Sequence, residues 1–296
     1  VLVPLLLAGN VASAEATRPL RAELSADASR PFRVENLAGR MVVRQGTGTR
    51  VVVTATVHGV DQKTADLMTL QEVRDSKTGH PTLRMIYPLN QHTPSGCGRE
   101  GNGGGFFESM FGGRTSTTYA GTRVTVSGGR GLALYADLVV EIPRGASGTF
   151  WNAVGAIEGA GVEGTLKFDS GSGDISLRDF KGDVTADTGS GDVNATESSA
   201  RVVSADTGSG SILIEVDDTE EVDTDTGSGD VTLELQGSKL SRVSADTGSG
   251  DVSVKLAPGV GFEMRTDVGS GEVTSSFDDA TAIVERRRVK GYRRGD

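Results

Sequence analysis

Residues 244–256 read SADTGSGDVSVKL, and close variants of this stretch recur through the second half of the chain. Its core is repeated as DSGSGDISL at 169–177, DTGSGDVNA at 187–195, DTGSGSILI at 206–214, DTGSGDVTL at 225–233 and DVGSGEVTS at 267–275. The Gly-Ser-Gly triplets begin at residues 171, 189, 208, 227, 248 and 269, so successive intervals are 18, 19, 19, 21 and 21 residues. A period of about 20 residues is typical of stacked units that bury their apolar faces against one another.

Two short stretches of alternating apolar and polar residues flank each triplet. A period of two indicates a strand with one buried face. The residues predicted to point inward have similar sizes in every repeat: Val184, Val203, Val222 and Val243 before the triplet, and Ile175, Val193, Ile212, Val231 and Val252 after it. The sequence therefore predicts an all-β fold, a parallel β-helix or β-solenoid over residues 146–277 with about 18–21 residues per coil.

The Gly-Ser-Gly triplet is predicted to be the corner between the two strands of a coil. Glycine adopts positive φ without steric penalty, and serine can bond to backbone groups that a tight turn leaves free. The predicted corner glycines are Gly171, Gly173, Gly189, Gly191, Gly208, Gly210, Gly227, Gly229, Gly248, Gly250, Gly269 and Gly271.

Acidic residues recur on both sides of the corner. Before the triplet stand Asp169, Asp187, Asp206, Asp225, Asp246 and Asp267; after it stand Asp174, Asp192, Asp230 and Asp251, with Ser211 and Glu272 as replacements. Like charges about 4.8 Å apart repel by about 0.9 kcal/mol in water. Hydrogen bonds from corner N–H groups to the carboxylates would offset this repulsion, and so would bound calcium.

Calcium is the alternative interpretation of these aspartates. Its candidate ligands are Asp187, Asp192, Asp206, Asp225, Asp230, Asp246 and Asp251. The calcium-binding nonapeptide pattern is Gly-Gly-x-Gly-x-Asp, whereas Asp directly follows Gly in this chain. The sequence therefore favours aspartates bonded to the corner backbone, and no cofactor is predicted.

The first residues, VLVPLLLAGNVASAEA, have the pattern of a signal peptide. The apolar run before Gly9 is much shorter than the ~20 residues that a membrane span needs. Ala12, Ser13 and Ala14 form a small-residue cleavage signature. We expect residues 1–14 to be removed on export, which leaves a mature chain without a transmembrane segment in the periplasm, on the cell surface or outside the cell.

The remaining segments carry weaker patterns. Residues 15–145 are predicted to form a β region of short strands, which begins with FRVENLAG, RMVVRQG and TRVVVTATV. Within it, the Gly-rich segment 95–118 is predicted to be a loop. Its aromatic cluster consists of Phe106, Phe107, Met110 and Phe111. Residues 278–296 are strongly basic, and we expect a capping segment or the start of a further coil.

Charge and composition exclude several functional classes. A net charge of −10 argues against nucleic acid as a partner. His58, His80 and His92 lack the spacing of a metal site or a catalytic triad. Acid–base catalysis needs carboxylates in different environments, whereas the repeated aspartates share one environment. The sequence therefore predicts no enzymatic activity.

Three passages together resemble a known family. They are FRVENLAGRMVVRQGTGTRVVVTATV at 32–57, ADLVVEIPRGASGTFWNAVGAIEGAGVEGTLKFDSGSGDISL at 136–177, and the tandem TGSGDV corners. They are similar to the bacterial "putative adhesin" family of β-strand-repeat proteins, a domain of unknown function, over roughly residues 30–296. The resemblance implies an exported β-helical protein without known catalytic residues, and it transfers no active site.

These observations favour a non-enzymatic, adhesin-like or surface-interaction protein of the bacterial cell envelope. Its partner is expected to be an unidentified protein or a surface polymer. One alternative is an envelope scaffold, structural or signalling, that docks a partner through the Gly-rich segment or the basic tail. A carbohydrate-active β-helix enzyme is a more distant alternative.

Overall fold

The computed structural model describes residues 16–25, 30–75, 77–89, 94–96, 114–128, 132–257, 260–268, 280–285 and 288–294. Within these ranges the chain forms 24 strands, β1 to β24, and one short helix, α1 (Gln62–Ala65). The predicted all-β class is therefore confirmed. Over the same ranges, no helix combines the length and the apolar character that crossing a bilayer requires.

Two parallel sheets flank the corner, and each coil contributes one strand to each sheet. The entry sheet contains the strands that lead into a corner: β2 (Phe32–Ala38), β11 (Ala146–Val154), β13 (Glu163–Ser170), β15 (Lys181–Thr188), the second half of β16 (Val193–Thr207), β18 (Glu221–Thr226), β20 (Arg242–Thr247) and β22 (Phe262–Val268). The exit sheet contains the strands that leave it: β3 (Met41–Gln45), β12 (Ile157–Ala160), β14 (Ile175–Arg178), the first half of β16, β17 (Ile212–Asp217), β19 (Val231–Gln236) and β21 (Val252–Leu256).

The inward residues stack in register, as the repeat predicts. In the entry sheet Val184, Val203, Val222 and Val243 are successive Cα partners, with exposed fractions of 2%, 1%, 0% and 2%. In the exit sheet Ile175, Val193, Ile212 and Val231 are likewise successive partners and are buried. Burial of a valine or isoleucine side chain contributes about 1.5–3 kcal/mol, so these continuous rows supply the core. The predicted β-solenoid is confirmed.

A second corner, which the sequence analysis did not identify, closes each coil after the exit strand. Its residues have positive φ between 50° and 95° and occupy equivalent places in successive coils: Gly161, Asp179, Glu197, Asp218 and Gly237. Aspartate tolerates the left-handed region better than most residues, although glutamate at this position is unusual. Shortly after this corner each coil has a buried side chain, such as those of Val162, Phe180 and Leu240.

The first coil of the stack comes from a distant part of the sequence. Strand β2 pairs in parallel with β11, and β3 pairs in parallel with β12. The intervening Gly39 has the same φ of 123° as Gly155 in the next coil. Strands predicted to belong to an N-terminal β region therefore share the two sheets of the solenoid, and a division at residue 146 stays a prediction.

The segment between the first two coils extends both sheets. In the exit sheet β10 (Leu132–Ile142) lies beside β3, and β4 (Arg50–Gly59) and β1 (Ala16–Ser25) follow as antiparallel strands. In the entry sheet β6 (Pro81–Ile86) pairs with β2, and β5 (Thr69–Arg74) pairs antiparallel with β6. The small strands β7 (Pro94–Gly96), β8 (Arg114–Tyr119) and β9 (Thr122–Gly128) form a third sheet.

The basic C-terminal segment forms a hairpin at the other end of the entry sheet. Strands β23 (Thr281–Glu285) and β24 (Arg288–Arg294) pair with each other in antiparallel orientation. Strand β24 also pairs antiparallel with β22. The hairpin thereby ends the run of parallel strands, whereas the predicted bounds of 278–296 stay untested.

Candidate functional site

The two glycines of each corner are required for different reasons. The second glycine has φ between 141° and 146°, as at Gly210, where a Cβ would lie 2.1 Å from the carbonyl oxygen of Gly191. The first glycine does not have positive φ. At Gly208 a Cβ would lie 2.7 Å from the carbonyl oxygen of Gly189, one coil below. Conformational freedom therefore explains only the second glycine, and close stacking of the coils explains the first.

A row of buried hydroxyl groups lies on the inner side of the corner. Each threonine that precedes a triplet donates a hydrogen bond from Oγ1 to the second corner glycine of the preceding coil. The bonds are Thr188 to Gly173 (2.9 Å), Thr207 to Gly191 (2.9 Å), Thr226 to Gly210 (2.9 Å) and Thr247 to Gly229 (3.0 Å). The repeat pattern alone does not predict that these buried threonines pair the corner carbonyls.

The aspartates after the corner, which we call the exit column, bond to the backbone of the next coil. Oδ1 of Asp174 accepts from the N–H of Asp192 at 2.9 Å, and Oδ1 of Asp192 accepts from the N–H of Ser211 at 2.8 Å. Oδ1 of Asp230 accepts from the N–H of Asp251 at 2.9 Å. The sequence favoured aspartates that accept hydrogen bonds from corner N–H groups. The exit-column aspartates do accept such bonds, although the donating N–H belongs to the next coil.

The aspartates before the corner, which we call the entry column, lie in a repulsive environment. Asp169, Asp187, Asp206, Asp225 and Asp246 are successive Cα partners on the outer face of the entry sheet. Burial raises the pKa of Asp206, and the charges of Asp187 and Asp225 raise it further. Burial is likewise the main cause of the raised pKa of Asp169. Nζ of Lys167 lies 3.5 Å from Asp187 and partly offsets the negative charge.

The calcium interpretation gains no support from these distances. Over the described residues, no three carboxylate, imidazole or thiol groups converge on a point where a metal ion would fit. A hard cation such as calcium takes six to eight oxygen ligands, so an isolated pair of carboxylates would leave most of its coordination to water. Calcium binding stays a prediction that a melting experiment can test.

The outer face of the entry sheet carries two shallow depressions. The first has a volume of about 250 Å³, and its lining includes Thr165, Lys167, Asp183, Thr185 and Arg201. The second has a volume of about 390 Å³ and is lined by Ser241, Arg242, Val243, Ser244, Glu263 and Arg265. Both combine arginine, a carboxylate and hydroxyl groups.

A β-bulge places Arg201 at the first depression. The register between β15 and β16 shifts after Gly182, so that Ala200 and Val202 face consecutive residues and Arg201 is the extra residue. Its guanidinium donates to the carboxylate of Asp183 at 2.5 Å. Bulges commonly redirect a side chain at a functional position. The sequence carries one signal of this bulge, the increase of the repeat interval from 18 to 19 residues.

An aromatic cluster covers the entry sheet at its first coils. Tyr119, at the tip of the β8–β9 hairpin, is 2% exposed and stacks on Trp151 with ring centroids 5.7 Å apart. Tyr87 meets the Tyr119 ring edge-on at 6.0 Å, and the Arg84 guanidinium lies 5.8 Å from its centroid. Burial raises the pKa of Tyr119 well above its usual range. This hairpin packing escaped the sequence analysis because the contacting residues are far apart in the chain.

His58 is held in a contact between strands of the exit sheet. Its ring stacks on Tyr135 with centroids 4.4 Å apart, and Nε2 lies 3.3 Å from a carboxylate oxygen of Asp137. The same aspartate accepts a hydrogen bond from the N–H of Arg40 at 2.8 Å. These contacts join β4 and β10 to the residue directly before β3, at the start of the exit sheet.

Several predicted features lie outside the described residues. They include the signal peptide at 1–14, the corner glycines Gly269 and Gly271, and the aromatic cluster Phe106, Phe107, Met110 and Phe111. Strands β7 and β8 occupy the two ends of the predicted Gly-rich loop at 95–118, and the remainder of that prediction, residues 97–113, lies outside the described residues.

Comparison with known proteins adds a family relationship. The sequence profile of the Toastrack DUF4097 family matches residues 137–294, more than half of the chain. The match confirms the resemblance inferred from the repeats, although it begins well after residue 30. No curated protein is significantly similar to the chain.

Three solved structures illustrate the remaining similarity. A putative adhesin from Bacteroides fragilis NCTC 9343 has 12% identity and a TM-score of 0.41, over 84% of this chain and 97% of that one. A putative lipid binding protein from Parabacteroides distasonis ATCC 8503 has 12% identity and a TM-score of 0.34, over 86% and 95%. A putative adhesin from Parabacteroides merdae ATCC 43184 has 10% identity and a TM-score of 0.35, over 87% and 97%. Likenesses at this level transfer neither a site nor an activity.

Proposed function

The chain belongs to the Toastrack DUF4097 family, and from that premise we propose that it is a non-enzymatic surface-interaction protein of the bacterial cell envelope. It is exported, and its β-solenoid presents a regular outer face to a surface polymer or a protein partner. The signal-peptide pattern of residues 1–14 supports export.

The observation that carries this proposal is the regularity of the outer face of the entry sheet. Equivalent outward positions are Cα partners from β11 through β22, so each coil repeats them about 4.8 Å further along the stacking axis. Repeat proteins use such extended surfaces for binding, because many weak contacts with one extended partner add together. A regular face of this kind suits a repetitive ligand better than a single small molecule.

The environment of the repeated carboxylates supports a non-enzymatic role. An acid and a base with distinct functions need surroundings that push their pKa values apart. In the entry column the pKa values of Asp169 and Asp206 move in the same direction, because burial raises both. This pattern is typical of a repeated surface, and it favours recognition over general acid–base chemistry.

Retention on bacterial envelope fractions tests the proposal. The purified protein should be retained by cell-wall or outer-surface material. The Gly210→Ala variant, whose stack is disrupted, should no longer bind this material. The matched Ser209→Ala variant at the same corner should bind like the wild type. If both variants are retained equally, or if the wild type is not retained at all, the stacked face has no role in retention. Deletion of residues 97–113 tests the scaffold alternative. If the deletion abolishes binding to one partner protein while retention on envelope material is unchanged, the scaffold alternative is favoured.

A further inference from the structure

The two depressions on the entry sheet lie in the same columns of outward residues. Asp183 of the first and Arg242 of the second are connected through the Cα partners Val202 and Glu221, three strand steps in all. At about 4.8 Å per step, these positions are about 14 Å apart along the stacking axis. A single extended molecule that runs along this axis would contact both depressions.

The two depressions also share the same types of polar group. In the first, Arg201 pairs with Asp183 beside the hydroxyl groups of Thr165 and Thr185. In the second, Glu263 accepts from the guanidinium of Arg265 at 3.1 Å and from that of Arg293 at 3.0 Å, beside Ser241 and Ser244. Each site therefore combines a planar donor fork, a planar acceptor and neutral hydroxyl groups on a flat sheet.

This combination argues against three other ligand classes. An extended peptide adds to a sheet edge, whereas β13, β15 and β20 each pair with a strand on both sides. A polyanion would be repelled by the adjacent entry column. The arginines at the two depressions are already paired with carboxylates: Arg201 with Asp183, Arg242 with Glu221, and Arg265 with Glu263. An apolar ligand would desolvate charged groups without replacing their hydrogen bonds.

We propose that the outer face of the entry sheet binds a neutral polysaccharide, which lies along the stacking axis and contacts both depressions. Adjacent sugar hydroxyls are donors and acceptors at once, so they can bond to the arginine–carboxylate pairs and to the serine and threonine hydroxyls together. The bulge at Arg201 adds the donor fork to the first depression. This inference rests on the proposed surface-interaction function and names the class of its ligand.

Affinity electrophoresis with defined polysaccharides tests this inference. The probes are amylose, barley β-glucan and yeast mannan, with alginate as the polyanion. The test variant is Asp183→Asn/Arg201→Gln, which removes both charges and keeps a polar amide at the exposed Arg201 and half-buried Asp183 positions. The matched control is Asp225→Asn, an exposed entry-column residue outside both depressions. Circular dichroism and melting measurements establish that both variants fold.

At least one neutral polysaccharide should retard the wild type and the control equally, whereas alginate should retard neither. The double variant should bind roughly tenfold more weakly or worse, because it loses hydrogen bonds to charged groups. The inference is overturned if the double variant binds as tightly as the wild type. It is also overturned if only alginate retards the wild type, or if no neutral polysaccharide does. If envelope retention persists without polysaccharide binding, only this inference fails; if both are absent, the proposed function fails as well.

Discussion

The two acidic columns beside the Gly-Ser-Gly corner have the same residue type and the same spacing, yet their carboxylates have different surroundings. In the exit column Asp192 accepts a backbone hydrogen bond from the coil above it. In the entry column burial and neighbouring aspartates raise the pKa of Asp206. One column joins successive coils, whereas the other adds repulsion between them.

The direction of the backbone at the corner accounts for this difference. Just after the corner, the N–H group of each coil points along the stacking axis toward the preceding carboxylate, as between Ser211 and Asp192. In the entry sheet the backbone groups are paired within the parallel sheet, and the Asp side chains project from its outer face. Stability therefore explains the exit column, whereas the entry column has no comparable stabilising contact with the backbone of the next coil.

The corner that separates the columns should give the largest effect. Gly210→Ala places a Cβ about 2.1 Å from the carbonyl oxygen of Gly191, at a φ that alanine avoids. We expect the free energy of unfolding to fall by about 3 kcal/mol or more. Urea denaturation measures it. The exposed neighbour serves as the control, since Ser209→Ala should change the value by less than about 0.5 kcal/mol. Similar values for the two variants would show that the corner is not tightly stacked.

The inner side of the corner should give the next largest effect. Thr226→Val preserves the shape of the side chain, but it leaves the half-buried carbonyl of Gly210 without its 2.9 Å hydrogen bond. The expected loss is about 2 kcal/mol, because an unsatisfied buried acceptor costs about 1–3 kcal/mol. Thr226→Ser retains the hydroxyl and should lose less. Denaturation midpoints compare the two, and an equal loss would mean that the methyl group matters more than the hydrogen bond.

The columns themselves can be compared by removing one carboxylate from each. Asp192→Ala removes the acceptor of the Ser211 N–H and should destabilise the fold by about 1 kcal/mol. Asp206→Ala removes repulsion from Asp187 and Asp225 and should leave stability unchanged or raise it. Parallel denaturation curves measure both. If the two variants lose the same amount, the columns do not differ in the way proposed.

The pH dependence of stability gives a smaller difference. Because the folded-state pKa of Asp206 is raised above its ordinary value of 3.8, the folded state binds this proton more tightly than the unfolded state. The favourable contribution is complete below pH 3.8 and is lost as pH rises through the folded-state pKa. Asp206→Asn should therefore be more stable than the wild type at neutral pH, and its advantage should shrink on acidification.

Only the difference between wild type and variant is informative here, because other carboxyl groups titrate over the same range. Hydrogen bonds lower the pKa values of Asp61 and Asp75, so these two groups oppose the trend of Asp206. Denaturation of both proteins between acid and neutral pH gives the comparison. If the stability advantage of Asp206→Asn over the wild type grows on acidification, the raised pKa of Asp206 is contradicted.

Calcium should have the smallest effect. If exit-column carboxylates are occupied by backbone N–H groups and entry-column carboxylates face solvent, the melting temperature should be the same with millimolar calcium and with chelator. Differential scanning fluorimetry measures it. A calcium-dependent rise that Asp225→Asn and Asp230→Asn each reduce would reinstate the metal interpretation.

The repeated part of the fold was predictable because each coil has the same pattern of alternating apolar and polar residues around a Gly-Ser-Gly corner. The inward valines and the corner positions follow from the repeat interval and from alternation with a period of two. The first coil could also have been found. Asn36 and Gly39 match Asn152 and Gly155 at the same spacing, and both asparagines are buried at the corner.

Other features depend on contacts that a single coil does not encode. The bond from Asp192 to Ser211 joins two coils, and it depends on how the backbone turns after the corner. The bulge at Arg201 appears in the sequence only as one additional residue in the repeat. The packing of Tyr119 on Trp151 joins distant segments, so composition and spacing carry no signal of it.

Register between coils is the central claim, and dipolar electron paramagnetic resonance tests it most directly. In a Cys97→Ser background, one spin label replaces Ser190 and a second replaces Ser209, Ser228 or Ser249, all exposed corner serines. The distance should increase by about 4.8 Å for each coil, even though the intervals between these serines are 19, 19 and 21 residues. Distances that rise unevenly, or that are far longer than this series, would contradict a stack in which every corner lies directly above the last.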